Sequence, residues 1–132
     1  MPLIVTPERE AASFAALEAI AATLQTYIDG ARTADRRLMQ LAFAETARIT
    51  GTYGGKAVEW TLQEFCSIIE KGGPAEALEA RIVGIEYSGN AAMARLEARN
   101  WRGTRYTDFF VLLNQDGSWR ISSKVFFAHS RA

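Results

Sequence analysis

The chain has 132 residues, 48% of them apolar and 23% charged, with 15 basic and 15 acidic side chains. That length suits a single domain over residues 1–132, and the composition argues against disorder and against a core that needs metal or disulfide support. One cysteine, Cys66, and only a short apolar run (Leu3-Ile4-Val5) near the start fit a cytoplasmic protein without a secretory signal or a membrane span.

The zero net charge is unevenly spread. Residues 1–90 carry 8 basic and 12 acidic side chains, and residues 91–132 carry 7 and 3. We read the two halves as pairing within one fold. Arg95, Arg99, Arg102 and Arg105, interleaved with Trp101 and Tyr106, are too sparse for a nucleic-acid stripe. Neither nucleic acid nor a membrane is expected as a partner.

The first helix is punctuated by Thr6 as cap, Pro7 at its first position, and Glu8 and Glu10 near its positive end. Leu17, Ile20, Ala21, Leu24, Tyr27 and Ile28 then draw one apolar stripe, and Gly30 is the expected stop. A shorter helix follows, with Thr33 as its expected cap and Leu38, Met39 and Leu41 as its buried side. From Phe43 to Thr52 the residues favour strand, and Gly51, Gly54 and Gly55 loosen or turn the chain. A short strand around Val58–Trp60 runs into Thr61-Leu62-Gln63-Glu64, a capping box that opens a third helix. Phe65, Ile68 and Ile69 form its apolar side, and Gly72-Gly73-Pro74 ends it.

The remainder reads as strands: Arg81–Tyr87, Ala92–Trp101, Arg105–Leu113 and Trp119–Phe127, separated by turns at Ser88-Gly89-Asn90, Gly103 and Asn114–Gly117. In the second of these, Ala92, Ala94, Leu96 and Ala98 alternate with Met93, Arg95, Glu97 and Arg99. Helices first and a meander last is an α+β order, without βαβ units.

Several of these segments carry a family resemblance. They are Tyr27-Ile28-Asp29-Gly30, Ala42-Phe43, Thr61-Leu62-Gln63-Glu64-Phe65, Tyr106-Thr107-Asp108-Phe109-Phe110, Asp116-Gly117-Ser118-Trp119-Arg120-Ile121 and Lys124-Val125-Phe126. Together they resemble the nuclear transport factor 2-like (NTF2-like, SnoaL-like) superfamily, within it most of all the putative lumazine-binding group. The resemblance implies a cone-shaped fold of three helices on a curved antiparallel sheet, a cavity between them, and a homodimer through the outer sheet face. It also brings ketosteroid isomerases, scytalone dehydratases and polyketide cyclases into view as relatives. Where relatives often have His-Pro-Asp after the residue matching Phe43, this chain has Ala44-Glu45-Thr46.

The sharpest candidate site is Asp108 with Lys124. A three-residue hairpin loop over Gln115–Gly117 would set Asn114 against Ser118, and hence Asp108 against Lys124, Phe110 against Ser122 and Tyr106 against Phe126. Cβ atoms directly opposed in this way are about 5 Å apart. A two-residue Asp116-Gly117 turn would instead send Asp108 and Lys124 to opposite faces. On a cavity wall the pair could act as general base and anion clamp, or hold a polar head group; it could equally tie two strands together.

Tyr27, Phe43, Trp60, Phe65, Met93, Phe110 and Phe126 are expected either to line the cavity as ligand contacts or to fill it. Tyr27 adds a phenolic donor, so Asp108, Lys124 and Tyr27 are the candidate catalytic residues. His129 stands alone, Cys66 sits on a packed helix, and the Gly51–Gly55 segment lacks the lysine of a phosphate loop, so no metal or cofactor is expected. The leading expectation is a binder of a small, partly aromatic molecule. A cofactor-free lyase or isomerase and a dimeric interaction module are the alternatives.

Overall fold

Thr6 opens the first helix as its position suggests, its hydroxyl accepting a hydrogen bond from the Arg9 N–H at 3.2 Å. The structure, a computed structural model, describes residues 6–129, so Leu3-Ile4-Val5 lies outside the described residues. Helix α1 spans Pro7–Thr33 and buries Ile20, Leu24, Tyr27 and Ile28. It does not stop at Gly30. A Cβ at that position would meet Met39 Sδ at 3.2 Å and Leu38 Cβ at 3.3 Å. The missing side chain therefore lets the next helix approach, and Ala34, at φ 52°, closes α1 by donating to the Gly30 carbonyl.

Helix α2 (Arg36–Ala42) is capped by Asp35 rather than Thr33, its carboxylate accepting from the Arg37 N–H at 2.8 Å. Met39 is buried, but Leu41 is 60% exposed because so short a helix offers the core only one side. Helix α3 (Leu62–Gly72) opens on the expected capping box: Thr61 accepts from the Glu64 N–H at 3.2 Å, and Glu64 accepts from the Thr61 N–H at 2.9 Å.

Six strands form one sheet: β1 (Phe43–Tyr53), β2 (Lys56–Thr61), β3 (Glu79–Ser88), β4 (Ala91–Trp101), β5 (Thr104–Gln115) and β6 (Ser118–Ala128). Their spatial order is β2-β1-β6-β5-β4-β3. The last four make the expected meander. The sheet is mixed rather than wholly antiparallel, because β1 runs parallel to β6. The many residues between β1 and β6 supply the long connection that a parallel pair requires. This is an α+β fold of three helices packed on a six-stranded sheet.

Among the long-range hydrogen bonds that hold α1 to the rest are two ties from side chains to backbone carbonyls. Thr23 donates to the Trp119 carbonyl at 2.9 Å, and the Arg32 guanidinium donates twice to the Leu78 carbonyl at 3.1 and 3.2 Å. Ala92, Ala94, Leu96 and Ala98 of β4 face the core as their alternation predicts. Among the described residues no helix is long and apolar enough to cross a membrane.

Candidate functional site

The β5–β6 hairpin turns through Asp116 and Gly117 alone, both left-handed at φ 54° and 83°, and Gln115 pairs with Ser118. This is the two-residue turn, not the expected three-residue loop. By itself it would separate Asp108 from Lys124. A β-bulge reverses the outcome: Leu112 pairs with Ile121, but the preceding Val111 pairs with Ser123, leaving Ser122 as the extra residue. Before the bulge Trp119 and Ile121 face the core; after it Lys124 and Phe126 do. The pairs are Asp108 with Phe126, Phe110 with Lys124, and Tyr106 with Ala128, each partner two residues beyond the expected one on β6. Asp108 and Lys124 are thus diagonal neighbours on one face.

Both are buried, at 0% and 3% exposure, and Lys124 Nζ lies 3.9 Å from Asp108 Oδ1. Tyr27, reaching down from α1, joins them. Lys124 Nζ donates to Tyr27 Oη at 2.6 Å, and Tyr27 Oη donates to Asp108 Oδ2 at 3.4 Å. Asp108 Oδ1 is buried without a hydrogen bond. Burial pushes the Asp108 carboxyl above its ordinary range, with Lys124 pulling the other way. Burial likewise lowers the Lys124 ammonium, opposed by Asp108. The Tyr27 phenol is raised well above its usual value by burial and by the neighbouring carboxyl. All three shifts favour the uncharged forms.

Rings surround the amine. Lys124 Nζ stands 4.7 Å from the centroid of Phe65, 4.9 Å from Tyr27, 5.1 Å from Phe126 and 5.3 Å from Trp101. Ring faces attract a cation and hold back part of the depression of its pKa.

The amine and three of these rings border an open pocket of ≈ 780 Å³ between α3 and the sheet. Trp60, Phe65 and Phe126 form one wall, with Trp60 stacked on Phe126 at 5.8 Å and 17°. Trp101 and Tyr106 form another, edge to face at 5.4 Å. Lys71 and Arg102 also line it.

The predicted site residues divide into three groups. Trp60, Phe65, Phe126 and Lys124 line the pocket. Tyr27, Phe43, Phe110 and Asp108 lie fully buried behind it, with the Tyr27 ring 5.8 Å from Phe43 and 5.2 Å from Phe110. Met93 belongs to neither: it is 49% exposed on the outer face of β4, where the alternation with Ala92 and Ala94 puts it. Trp101 and Tyr106 were not anticipated as pocket residues. Trp101 turns inward because the β4–β5 register shifts between Ala98 and Trp101, beside Asn100 at φ 59°. An asparagine just before Trp101-Arg102-Gly103 is the available signal, since Asn tolerates the left-handed conformation.

Residues 15–127 match the model of the family described as "Putative lumazine-binding". Among solved structures, an NTF2-like protein of unknown function from Methylobacillus flagellatus is 33% identical, with 86% of this chain and 92% of that chain covered at a TM-score of 0.82. One from Shewanella baltica is 32% identical, with 89% and 96% covered at 0.84. A curated relative from a Cladobotryum species, named Aldolase FrzH, is 23% identical over 86% of this chain and 92% of its own length.

Proposed function

This chain belongs to the putative lumazine-binding family of the NTF2-like superfamily, and from that premise we propose that it binds a small, flat, partly aromatic molecule in the pocket above Lys124. The observation that carries the reading is a pocket of ≈ 780 Å³ walled by Trp60, Phe65, Trp101, Tyr106 and Phe126, with a lysine at its inner end. Small-molecule sites combine such apolar, aromatic walls with a few convergent polar groups. A pterin-like heterocycle fits this description, its rings against Trp60 and Trp101 and its polar edge toward Lys124.

Two of the three tryptophans line the pocket, so binding is readable as quenching of intrinsic fluorescence. The test is a screen of pterins, flavins and steroid-like ketones by quenching and thermal shift. The expected result is a rise in melting temperature for at least one compound, lost in Trp101→Ala; ligand at 100 times its Kd adds about 2.7 kcal/mol of stability. Absence of any shift across the screen, with side chains closing the pocket in an experimental structure, overturns the reading.

A second reading is favoured by the hydrogen-bonded line Lys124–Tyr27–Asp108. It makes the protein a cofactor-free lyase or isomerase that moves a proton next to a ligand carbonyl. A line of groups that can pass a proton between them suits such chemistry, with Asp108 acting as base in its carboxylate form. Turnover abolished in Asp108→Asn with ligand binding intact would support it, and unchanged turnover would remove Asp108 as the base.

The outer face of the sheet is the proposed homodimer surface. Met93, Phe109, Val111, Val125 and Phe127 are all 47–50% exposed there, a continuous apolar patch across β4, β5 and β6.

A further inference from the structure

Only three lysines occur in the chain: Lys56, Lys71 and Lys124. Lys56 and Lys71 are exposed, Lys71 also lining the pocket, whereas Lys124 is buried at its wall with its nitrogen among four rings and one hydrogen-bonded hydroxyl. We infer that Lys124 is a nucleophile, forming a reversible imine with the aldehyde or ketone group of an aromatic ligand held in that pocket. The inference rests on the proposed binding role and adds to it the class of ligand and the covalent bond.

Three features of the site point this way. First, an uncharged amine is the reactive form, and desolvation by the surrounding rings favours it over the ammonium. The titratable groups in contact with the amine are Tyr27 from α1 and Asp108 from β5, and Lys71, Arg102 and Tyr106 line the same pocket; Phe65 from α3, Trp101 from β4 and Phe126 from β6 bring neutral rings. Second, a route for the amine's surplus proton is already laid out. It passes from Nζ to Tyr27 Oη as the phenolic proton passes to Asp108 Oδ2, which leaves a neutral amine beside a protonated carboxyl. Third, the ring cage suits the product. A protonated imine is a spread-out cation, and the ring faces that attract an ammonium attract it as well.

The chemistry closes without a further reactant. The Nζ lone pair attacks the carbonyl carbon, the C=O π bond opens, and a proton from nitrogen moves to the oxygen to give a carbinolamine. Asp108, now carrying a proton, returns it through Tyr27 to the departing hydroxyl. Water leaves as the C=N bond forms. Counted from the ammonium, the amine and the carbonyl become a protonated imine and water, and Asp108 ends as the carboxylate it began as, so atoms and charge balance.

The test uses 2-naphthaldehyde as the probe, with sodium cyanoborohydride to reduce the imine to a stable secondary amine, followed by peptide mass spectrometry. The saturated comparison probe is 2-naphthalenemethanol, which has the same rings and no carbonyl; its binding is followed by tryptophan fluorescence. The expected result is one adduct on Lys124 at neutral pH, formed ahead of Lys56 and Lys71, and suppressed by excess alcohol. In Asp108→Asn the adduct forms about 10²-fold more slowly, the scale of a lost proton-transfer group. Binding of the alcohol with adducts only on Lys56 and Lys71 overturns the imine and leaves the pocket reading intact. Binding of neither probe, with no Lys124 adduct, overturns both. Mapping on the unaltered protein decides the question even if substitutions at Lys124 prevent folding.

Discussion

Asp108 and Lys124 share the inner face of the sheet because Ser122 is bulged out of β6. Were Ser122 paired in the ladder instead of bulged, the two-residue turn at Asp116-Gly117 would direct Lys124 and Phe126 to the outer face and Val125 and Phe127 to the core. Deleting Ser122 should therefore remove only the bulge: Ser123 then follows Ile121 opposite Val111, Lys124 stays opposite Phe110, and the amine and the Phe126 wall remain inward. We expect the deletion to keep near-ultraviolet circular dichroism and any ligand-dependent fluorescence change, and Ser122→Ala to stay within about 1 kcal/mol of the parent. Loss of both signals in the deletion variant, with Ser122→Ala unaffected, would contradict this account of the register.

How the site came to be legible follows from the same bulge. The expected loop was one residue too long and the bulge was not foreseen, and these two departures compensate in side-chain parity. The two-residue turn had been weighed as the arrangement that would break the pair, and it is the one present. Nothing in Ile121-Ser122-Ser123 marks the extra residue; it is set by how β6 is held between β5 and β1, which is tertiary information. The register shift before Trp101 is the same kind of event, and it brought into the pocket a ring that simple alternation would have left outside. By contrast, the Thr61–Glu64 capping box and the turns at glycine depend on nearby backbone groups, so those elements were readable. Met93, expected among the cavity residues, lies on the outer face, where its alternation with two inward alanines already put it.

Removing the cation from the buried pair should make stability strongly dependent on pH. In Lys124→Met, Asp108 loses its chief stabilising charge while remaining desolvated, so its carboxyl rises further above the raised position it already has. The unfolded chain releases that proton near pH 3.9, and the folded chain holds it to higher pH. The folded state then binds more protons, so stability increases as pH falls from neutral toward about 4. We expect Lys124→Met to cost about 3–5 kcal/mol near pH 8 and clearly less at pH 5, as read from urea midpoints. Adding Asp108→Leu should recover much of the loss and flatten this pH dependence. A loss independent of pH would show that the carboxyl is not the group left stranded.

Gly51 gives a test of the wall itself. It pairs with Phe126, and a Cβ built on Gly51 would strike the Phe126 carbonyl oxygen and lie 2.6 Å from its Cδ1. No rotation of the Phe126 ring relieves a collision with the backbone oxygen. Gly51→Ala should therefore push β1 away from β6, costing about 1–3 kcal/mol as overpacking does, and should disturb the stack of Phe126 on Trp60. Thermal unfolding and the quenching assay check the two effects separately. The exposed Gly54, with nothing near the corresponding Cβ, is the control for crowding, although its φ of 58° carries a separate strain.

The outer face makes the last prediction. Phe109 lies beside Val125 on β6 and opposite Arg95 on β4, whose guanidinium stands 5.5 Å from its ring. Arg95 and Arg105 both pair with Glu97, so charges of both signs border the apolar centre. A face of this kind can meet its own copy across a two-fold axis, apolar centre on centre and each arginine near an acidic neighbour. Phe109→Glu would place a carboxylate opposite its own copy at the middle of such an interface, where charge is poorly tolerated. Because Phe109 is 47% exposed in the single chain, the fold itself should survive. Light scattering after size exclusion should give twice the chain mass for the parent protein and the single-chain mass for the variant, with unchanged far-ultraviolet circular dichroism. A parent that runs as a monomer at tens of micromolar would contradict the dimer. A variant that remains dimeric would move the interface away from this face.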